Sequence, residues 1–208
     1  IRCMQNPRLG FEATLTLPPA TGEEAGRSIL IAGAGPAGLE AAYQLVRRGF
    51  RPVVYERESA PGGLMKLAAL PPKKERMAEV IRFRVEALKA AGVEIRCGVE
   101  VTPERVAKEA PDVLIVATGS VPALPPVAGM DREAVLTADD LLAGRRRLSG
   151  RVLVLGGGLT GCETADYLAA SGCRVELLEM GDRLAGGLNK SRRRFLLQRL
   201  AQSGVTVR

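Results

Sequence analysis

Histidine and tryptophan are absent from the 208 residues of this chain, and its only aromatic residues are three tyrosines and four phenylalanines. Without histidine the chain can form neither a Ser-His-Asp triad nor a metal site that uses imidazole ligands. Its four cysteines form no C-x-x-C pair, which excludes a redox-active disulfide of that type. Scattered thiols are typical of a reducing cytoplasm, and we expect that location. The cysteines are Cys3, Cys97, Cys162 and Cys173.

Long apolar runs are also missing, since none approaches the roughly 20 residues that span a bilayer, and we expect no membrane partner. The net charge is +7, with arginine runs at residues 145–147 and 192–194. Because aromatic residues are few and no nucleic-acid-binding motif accompanies the charge, we expect a solvated arginine-rich surface and no nucleic-acid partner. The start at Ile1 and the strand-like end at residues 204–208 indicate a piece of a longer protein.

Two glycine-rich motifs stand out in this composition. G-A-G-P-A-G occupies residues 33–38 and G-G-G-L-T-G occupies residues 156–161, and each follows an apolar run and opens a helical pattern. A glutamate, Glu56 or Glu179, lies 23 residues beyond the first glycine of each motif. One such motif is a weak signal. Two of them, each between a strand and a helix and each with its acid, predict two sites for dinucleotides, which we expect as small-molecule partners.

The three glycines of each motif have separate roles. The first permits a tight turn, the second lets the backbone approach a pyrophosphate, and the third lets the helix pack closely on the strand. Phosphates then meet free N–H groups and the positive end of the helix dipole, and the glutamate accepts hydrogen bonds from ribose hydroxyls. The alternative, that these glycines form ordinary turns, does not explain two complete units. The glycines are Gly33, Gly35 and Gly38, and Gly156, Gly158 and Gly161.

The order of apolar runs and helical patterns predicts an α/β fold of two Rossmann-like units with parallel sheets, the second unit truncated. Residues 1–27 lack periodicity and form an extended lead-in, residues 28–150 form the first domain, and residues 151–208 begin the second. The continuous apolar run at residues 113–116 is typical of a buried parallel strand. Helices are predicted over residues 36–48, 73–91, 138–142, 160–171 and 190–202.

These motifs, with A-T-G at residues 117–119, resemble the two-dinucleotide-binding flavoprotein fold, in which the first unit holds FAD and the second holds NAD(P)H. The flanking segments resemble a narrower group, the old-yellow-enzyme-type NADH:flavin oxidoreductases, which includes the 2,4-dienoyl-CoA reductases and the clostridial enoate reductases. C-M-Q-N-P-R-L-G at residues 3–10 is similar to the segment that follows the flavin barrel of that group. L-P-P-K-K-E at residues 70–75, G-G-L-T-G-C-E-T-A at 157–165 and L-E-M at 178–180 fit it as well.

The resemblance implies which residues contact each cofactor, and it assigns no side chain to catalysis because the cofactors carry the hydride chemistry. The residues implied for the FAD pyrophosphate and ribose are Gly33, Gly35, Pro36, Ala37, Gly38 and Glu56. Those implied along the dinucleotide are Arg57, Gly63 and Leu64, and Val101 would lie near the adenine. The segment implied to lie against the cofactor is Ala117, Thr118 and Gly119. For the nicotinamide dinucleotide they are Gly156, Gly158, Leu159, Thr160, Gly161 and Glu179.

The resemblance also implies a larger parent protein, whose flavin barrel would precede this chain and hold FMN. Cys3 would then be the last ligand of a [4Fe–4S] cluster whose other cysteines lie upstream, and the alternative for Cys3 is a free thiol. One cysteine alone cannot hold such a cluster. Glu179 favours NADH over NADPH, because its carboxylate would repel a 2′-phosphate, although Arg183 four residues further on would soften that repulsion.

The function that follows is an NAD(P)H-dependent flavin oxidoreductase. NADH would pass hydride to FAD, and electrons would continue through the cluster to FMN, where a double bond conjugated to a carbonyl is reduced. One alternative is a stand-alone NAD(P)H:acceptor reductase of the ferredoxin type, and another is a dinucleotide-binding module without turnover. The sequence favours the enzyme for the parent protein and the inactive binding module for these 208 residues alone.

Overall fold

The computed structural model describes residues 3–208, which belong to two compact units. One unit contains the chain up to Lys66 together with residues 76–120, and the other contains residues 67–75 and 121–208. The strands are β1 (Ile29–Ala32), β2 (Val53–Glu56), β3 (Ile95–Cys97), β4 (Val113–Val116), β5 (Arg151–Leu155), β6 (Arg174–Leu178) and β7 (Thr206–Val207). The helices are α1 (Pro36–Arg47), α2 (Met65–Ala68), α3 (Ala78–Ala90), α4 (Pro103–Glu109), α5 (Ala138–Leu142), α6 (Leu159–Ala170) and α7 (Lys190–Gln202).

The first unit contains a parallel sheet with the strand order β3-β2-β1-β4. Strand β1 lies in its interior, where Leu30 pairs with Val53 on one side and Leu114 on the other. All four residues of β1 are buried because both faces of the sheet are covered at this strand. Ile31 joins the core formed with α1 and α3, and Leu30 packs with Tyr55 on the opposite face.

Strand β4 is only half buried, although its continuous apolar sequence predicts burial on both faces. Val113 and Ile115 pack on the core of the first unit, whereas the side chains of Leu114 and Val116 are 39% and 68% exposed. The physical reason is position, since β4 is the last strand of its sheet and only one of its faces is covered by the described residues. A continuous apolar run indicates that a strand can be buried, but it does not indicate whether one face or both faces of that strand are covered.

The second unit contains the parallel sheet β5-β6-β7, with Val154 paired to Leu177. Leu177 is fully buried and belongs to a core that includes residues of α6 and α7, among them Leu168 and Leu200. Both glycine motifs therefore stand where they are predicted, between the first strand of a parallel sheet and the helix that covers it. The α/β fold with parallel sheets is confirmed.

Four of the predicted helices match α1, α5, α6 and α7 to within one residue at each end. The helix predicted over residues 73–91 is shorter, because its first turn is the 3₁₀ helix Glu75–Met77 and α3 follows it. Helix α4 is not among the predicted helices, although its sequence carries the signals of a helix N-terminus. Pro103 occupies its first turn, and the Thr102 side chain accepts a hydrogen bond from the Arg105 N–H. Within residues 3–208 no helix is long and apolar enough to cross a membrane.

Arg199→Leu is expected to destabilise the second unit by about 3 kcal/mol. Arg199 on α7 donates to Asp166 Oδ2 on α6 from Nε at 3.0 Å and from Nη2 at 2.7 Å. The Asp166 side chain is only 4% exposed, so the variant leaves a buried carboxylate without its cation. Urea unfolding measures the change. Arg194→Leu removes an exposed guanidinium from the same helix and should change little; an equal loss in both variants would contradict a role for the ion pair.

Candidate dinucleotide-binding sites

The first glycine motif forms the turn between β1 and α1, and the chain's own geometry requires two of its glycines. Gly33 has φ +104°, and a Cβ on it would lie 2.4 Å from the Ala117 carbonyl oxygen. A Cβ on Gly38 would lie 1.9 Å from the carbonyl oxygen of Gly33. No side chain fits at either distance, so these positions allow β1, β4 and α1 to approach one another.

Gly35 is different, because the protein itself does not exclude a side chain there. Its φ is −74°, and the nearest atom to an added Cβ would be the Cα of Gly63, at an ordinary contact distance of 3.9 Å. The Gly62 N–H donates to the Ala34 carbonyl oxygen over 2.8 Å and so holds this loop beside the turn. The chain therefore does not itself require glycine at position 35, which stands where the first N–H groups of α1 are free of intrahelical partners.

Glu56 ends β2 and braces the same turn. Its side chain accepts hydrogen bonds from the Ala34 N–H at Oε2 (2.8 Å) and from the Glu58 N–H at Oε1 (2.9 Å). The residue is only 6% exposed. Each carboxylate oxygen has further lone-pair capacity, so the brace leaves Glu56 able to accept a ribose hydroxyl.

The other residues implied for FAD lie at or near the carboxyl ends of the parallel strands, which meet at one edge of the sheet. Ala117 follows β4 and donates its N–H to Ala32 at the end of β1 over 2.8 Å. Thr118 is exposed, and Gly119 has a left-handed φ of +79°. Val101 packs against the buried cluster of β1 and β2. The structure thus brings most of this set to one edge, while Arg57 and Leu64 are exposed on the following loop.

The second glycine motif lies between β5 and α6, and its glycines also include positions that the chain requires and one that it does not. Gly156 has φ +102°, and a Cβ on Gly161 would lie 1.7 Å from its carbonyl oxygen. Among the described residues other than its chain neighbours, no atom lies within 4 Å of a Cβ added to Gly158, and its φ is −63°. Leu159 and Thr160 are exposed in the first turn of α6. In both motifs the outer glycines are required by the chain and the middle one is not.

Gly157 is a further position at which the chain itself leaves no room for a side chain, and the motif alone does not reveal this. A Cβ on it would lie 2.3 Å from Leu184 Cδ2 and 2.8 Å from Glu179 Cβ. The corresponding position of the first motif is Ala34, which is fully buried. The run of three consecutive glycines at residues 156–158 is the only sign of this requirement in the sequence, because Glu179 and Leu184 lie more than 20 residues away along the chain.

Glu179 ends β6 and braces the second turn. Its side chain accepts hydrogen bonds from the Gly157 N–H at Oε2 (2.6 Å) and from the Gly181 N–H at Oε1 (2.8 Å). Hydrogen bonds from the backbone N–H of Gly181 and then of Gly157 lower the pKa of this carboxyl below its ordinary value of 4.5. The group is therefore ionised at neutral pH and presents a negative charge beside the turn.

Glu179→Gln should lower the stability of the second unit at about pH 7 and lower it by less at about pH 3. The folded pKa is depressed, so the ionised carboxylate stabilises the fold above its unfolded pKa, and this contribution is lost as the pH falls through the folded pKa. Urea unfolding of both proteins at the two pH values isolates Glu179 from other titrating groups. A difference between the proteins that is independent of pH would contradict this origin of the stabilisation.

Cys3 is partly buried, and its thiol is free. Across residues 3–208 no group of three or more histidine, cysteine, aspartate or glutamate side chains is arranged to hold a metal ion. The described residues therefore do not fit a four-iron cluster by themselves. Cys162 and Cys173 are buried free thiols; Cys162 Sγ donates to the Gly157 carbonyl oxygen at 3.2 Å, and burial raises its pKa.

The parallel sheets and paired glycine turns define an α/β protein with two Rossmann-like units. Residues 27–208 match the family described as pyridine nucleotide-disulphide oxidoreductase, and the chain belongs to this family. These are flavin-dependent NAD(P)H oxidoreductases, and they bind FAD and NAD(P)H. The resemblance to the dinucleotide-binding region of old-yellow-enzyme-type oxidoreductases is confirmed by the following relatives.

The chain is 34% identical over 212 residues to an NADH oxidase from Thermoanaerobacter brockii, with 100% of this chain and 32% of that protein covered. It is 33% identical over 180 residues to a cinnamate reductase from Clostridium sporogenes, with 86% and 26% covered. The solved complex of 2-naphthoyl-CoA reductase with 2-naphthoyl-CoA superimposes with a TM-score of 0.93 at 31% identity, over 100% of this chain and 31% of that one. The chain thus spans about a third or less of the length of these relatives.

Proposed function

We propose that the first unit binds FAD and the second binds NADH, as the dinucleotide-binding region of a flavin-dependent reductase. The observation that carries this proposal is the division of roles among the glycines. The chain itself requires Gly33, Gly38 and Gly161, whereas Gly35 and Gly158 have room for a side chain. A pyrophosphate that approaches the start of the helix explains why these two positions are also glycine.

Cofactor choice in the second unit follows from Glu179. Its ionised carboxylate beside the turn accepts ribose hydroxyls and repels a 2′-phosphate, which favours NADH over NADPH. Arg183 is exposed on the loop after β6 and offsets part of this repulsion. In the first unit, Glu56 plays the same part for the adenosine ribose of FAD.

For a longer parent protein we propose the reduction of a double bond conjugated to a carbonyl. When bound, NADH and FAD supply hydride transfer, and an iron–sulfur cluster and FMN in the rest of the parent would pass the electrons to substrate. Cinnamate and 2-naphthoyl-CoA, which the names of two relatives give, both carry a carbonyl next to carbon–carbon unsaturation. Cys3 would be this chain's single contribution to the cluster. The present residues contribute binding and orientation and no acid or base.

The alternative functions differ in turnover. A stand-alone NAD(P)H:acceptor reductase would reduce an artificial electron acceptor with these 208 residues alone, whereas a binding module would not. The free, buried thiols of Cys162 and Cys173 give no support to a disulfide reductase. For these 208 residues by themselves we propose the binding module, in which the dinucleotides bind without turnover of an electron acceptor.

The test is an absorbance spectrum of the purified chain after incubation with FAD and gel filtration, followed by anaerobic addition of NADH. A flavin band that NADH bleaches supports both sites, and dithionite gives the fully reduced reference. Turnover of an artificial acceptor would favour the stand-alone reductase. A chain that binds neither FAD nor NADH, while circular dichroism shows it to be folded, would contradict the proposal.

A further inference from the structure

The loop of residues 180–188, here called the β6–α7 loop, joins β6 to α7 and packs on the second glycine turn. Its Ala185 N–H donates to the Gly157 carbonyl oxygen over 2.8 Å. The Leu184 side chain lies beside the same residue, since a Cβ on Gly157 would be 2.3 Å from Leu184 Cδ2. The loop thus contacts the residue that immediately precedes the middle glycine, Gly158.

The backbone of Gly157 is held at both its nitrogen and its oxygen. The N–H donates to Glu179 Oε2 at 2.6 Å, and the carbonyl oxygen accepts from the Ala185 N–H and from Cys162 Sγ at 3.2 Å. The position of the glycine turn therefore depends on the β6–α7 loop as well as on the Glu179 carboxylate.

Ala185 has a backbone conformation that its surroundings must maintain. Its φ is +47°, in the left-handed region that residues with a side chain seldom adopt, and the residue is fully buried. Within the loop its carbonyl oxygen accepts from the Leu188 N–H at 3.0 Å. Because the conformation is unfavourable for alanine, contacts from outside the loop are needed to keep it.

Arg193, in the first turn of α7, supplies such a contact. Its Nε donates to the Leu184 carbonyl oxygen at 2.7 Å, and this hydrogen bond is partly buried. The Leu184 carbonyl and the Ala185 N–H belong to one peptide group, so this group is held at its oxygen by Arg193 and at its nitrogen by Gly157. Rotation of the peptide group would break both hydrogen bonds, one of which comes from a charged donor.

We propose that Arg193 is a positioning residue for the nicotinamide dinucleotide, because it orients the Leu184–Ala185 peptide group that holds the second glycine turn. The inference rests on the proposed binding of NADH by the second unit. Arg193 acts through the β6–α7 loop and not by contact with the ligand. It therefore contributes to NADH affinity and takes no part in hydride transfer.

Arg193→Met is expected to weaken NADH binding about tenfold in a protein that remains folded. Methionine keeps an unbranched apolar side chain but has no N–H donor for the Leu184 carbonyl oxygen. Calorimetry of the purified chain with NADH measures the loss, and Arg193→Lys, which restores a charged donor, should recover most of the affinity. A purely structural role would lower the free energy of unfolding and leave the affinity of the folded protein unchanged, and that result would overturn the proposal.

Amide hydrogen exchange tests the loop with neither cofactor present. In Arg193→Met the Ala185 N–H should exchange at least about tenfold faster, because its peptide group has lost the partner of its oxygen. The reference is the Val205 N–H, which donates to the Leu200 carbonyl oxygen at 3.0 Å beyond the end of α7 and should keep its rate. Equal acceleration at both amides would show general loosening of the unit and overturn the specific role of Arg193.

Arg194→Met is the matched control, because it removes an exposed guanidinium from the next position of α7. It should match the unmodified chain in both measurements, and an equal loss of NADH affinity in Arg193→Met and Arg194→Met would overturn the proposal. An unmodified chain that binds no NADH would instead contradict the proposed function. In that case the exchange of the Ala185 amide would still decide whether Arg193 holds the loop.

Discussion

Gly158→Ala is expected to weaken NADH binding by the second unit about 100-fold or more, while its stability changes by no more than about 1 kcal/mol. An alanine fits the fold at this position, because no atom lies within 4 Å of the added Cβ and φ is −63°. The methyl group projects instead into the space through which the pyrophosphate must reach the first N–H groups of α6. NADH affinity from calorimetry and free energy from urea unfolding are the two measurements.

Gly161→Ala is the companion variant, and the opposite pattern is expected of it. Its Cβ would lie 1.7 Å from the Gly156 carbonyl oxygen, so α6 must move away from β5. A loss of about 3 kcal/mol or more is expected, which is a large part of the 5–15 kcal/mol that holds a typical domain folded. Undiminished NADH binding by a stable Gly158→Ala protein would mean that no pyrophosphate lies against this turn.

Gly33→Ala is expected to have the largest effect in the first unit, a loss of about 3 kcal/mol or more in the free energy of unfolding. The backbone there has φ +104°, which an alanine rarely adopts, and the added Cβ would lie 2.4 Å from the Ala117 carbonyl oxygen. Strain and overlap both act at the point where β1 and β4 end side by side. Urea unfolding measures the loss, and FAD retention should disappear with the fold.

Gly35→Ala separates binding from folding in that unit. Its nearest neighbour would be the Gly63 Cα at 3.9 Å, an ordinary contact, so the protein should unfold at nearly the same urea concentration. We nevertheless expect it to lose FAD on gel filtration while its NADH affinity is unchanged. A Gly35→Ala protein that retains FAD would show that the middle glycine serves no ligand.

The braces provided by Glu56 and Glu179 give these predictions a common basis. Each carboxylate holds the residue after the first glycine of its motif, Ala34 or Gly157, and a residue two positions beyond itself. The turn is thus ordered by the protein's own hydrogen bonds, which reduces the ordering that a dinucleotide must impose on binding. Because the turn is held in place in this way, it should not move to make room for a methyl group at Gly35 or Gly158. The methyl group should therefore weaken binding of the dinucleotide.

Features whose causes are local in the chain were predictable from the sequence. The alternation of apolar runs and helical patterns gives the strands and helices, and the clash that requires Gly38 involves Gly33 only five residues away within one turn. The start of helix α4 is equally local, since Thr102 caps it and Pro103 occupies its first turn. The family resemblance likewise depends on short motifs, and it is confirmed.

Features that depend on contacts between distant segments were decided only by the tertiary structure. The half-exposed β4 follows from its place at the end of a sheet, and the requirement for glycine at position 157 follows from the approach of the Glu179 Cβ. The burial of Arg84 on α3 also depends on a distant segment, since its Nη2 donates to the Gln5 carbonyl oxygen of the lead-in at 2.8 Å. The sequence by itself therefore determined the order of strands and helices and the glycine turns, because steric rules within a few residues fix them. The number of covered faces of β4 and the crowding at Gly157 needed the tertiary structure, because no pattern in the sequence records these contacts.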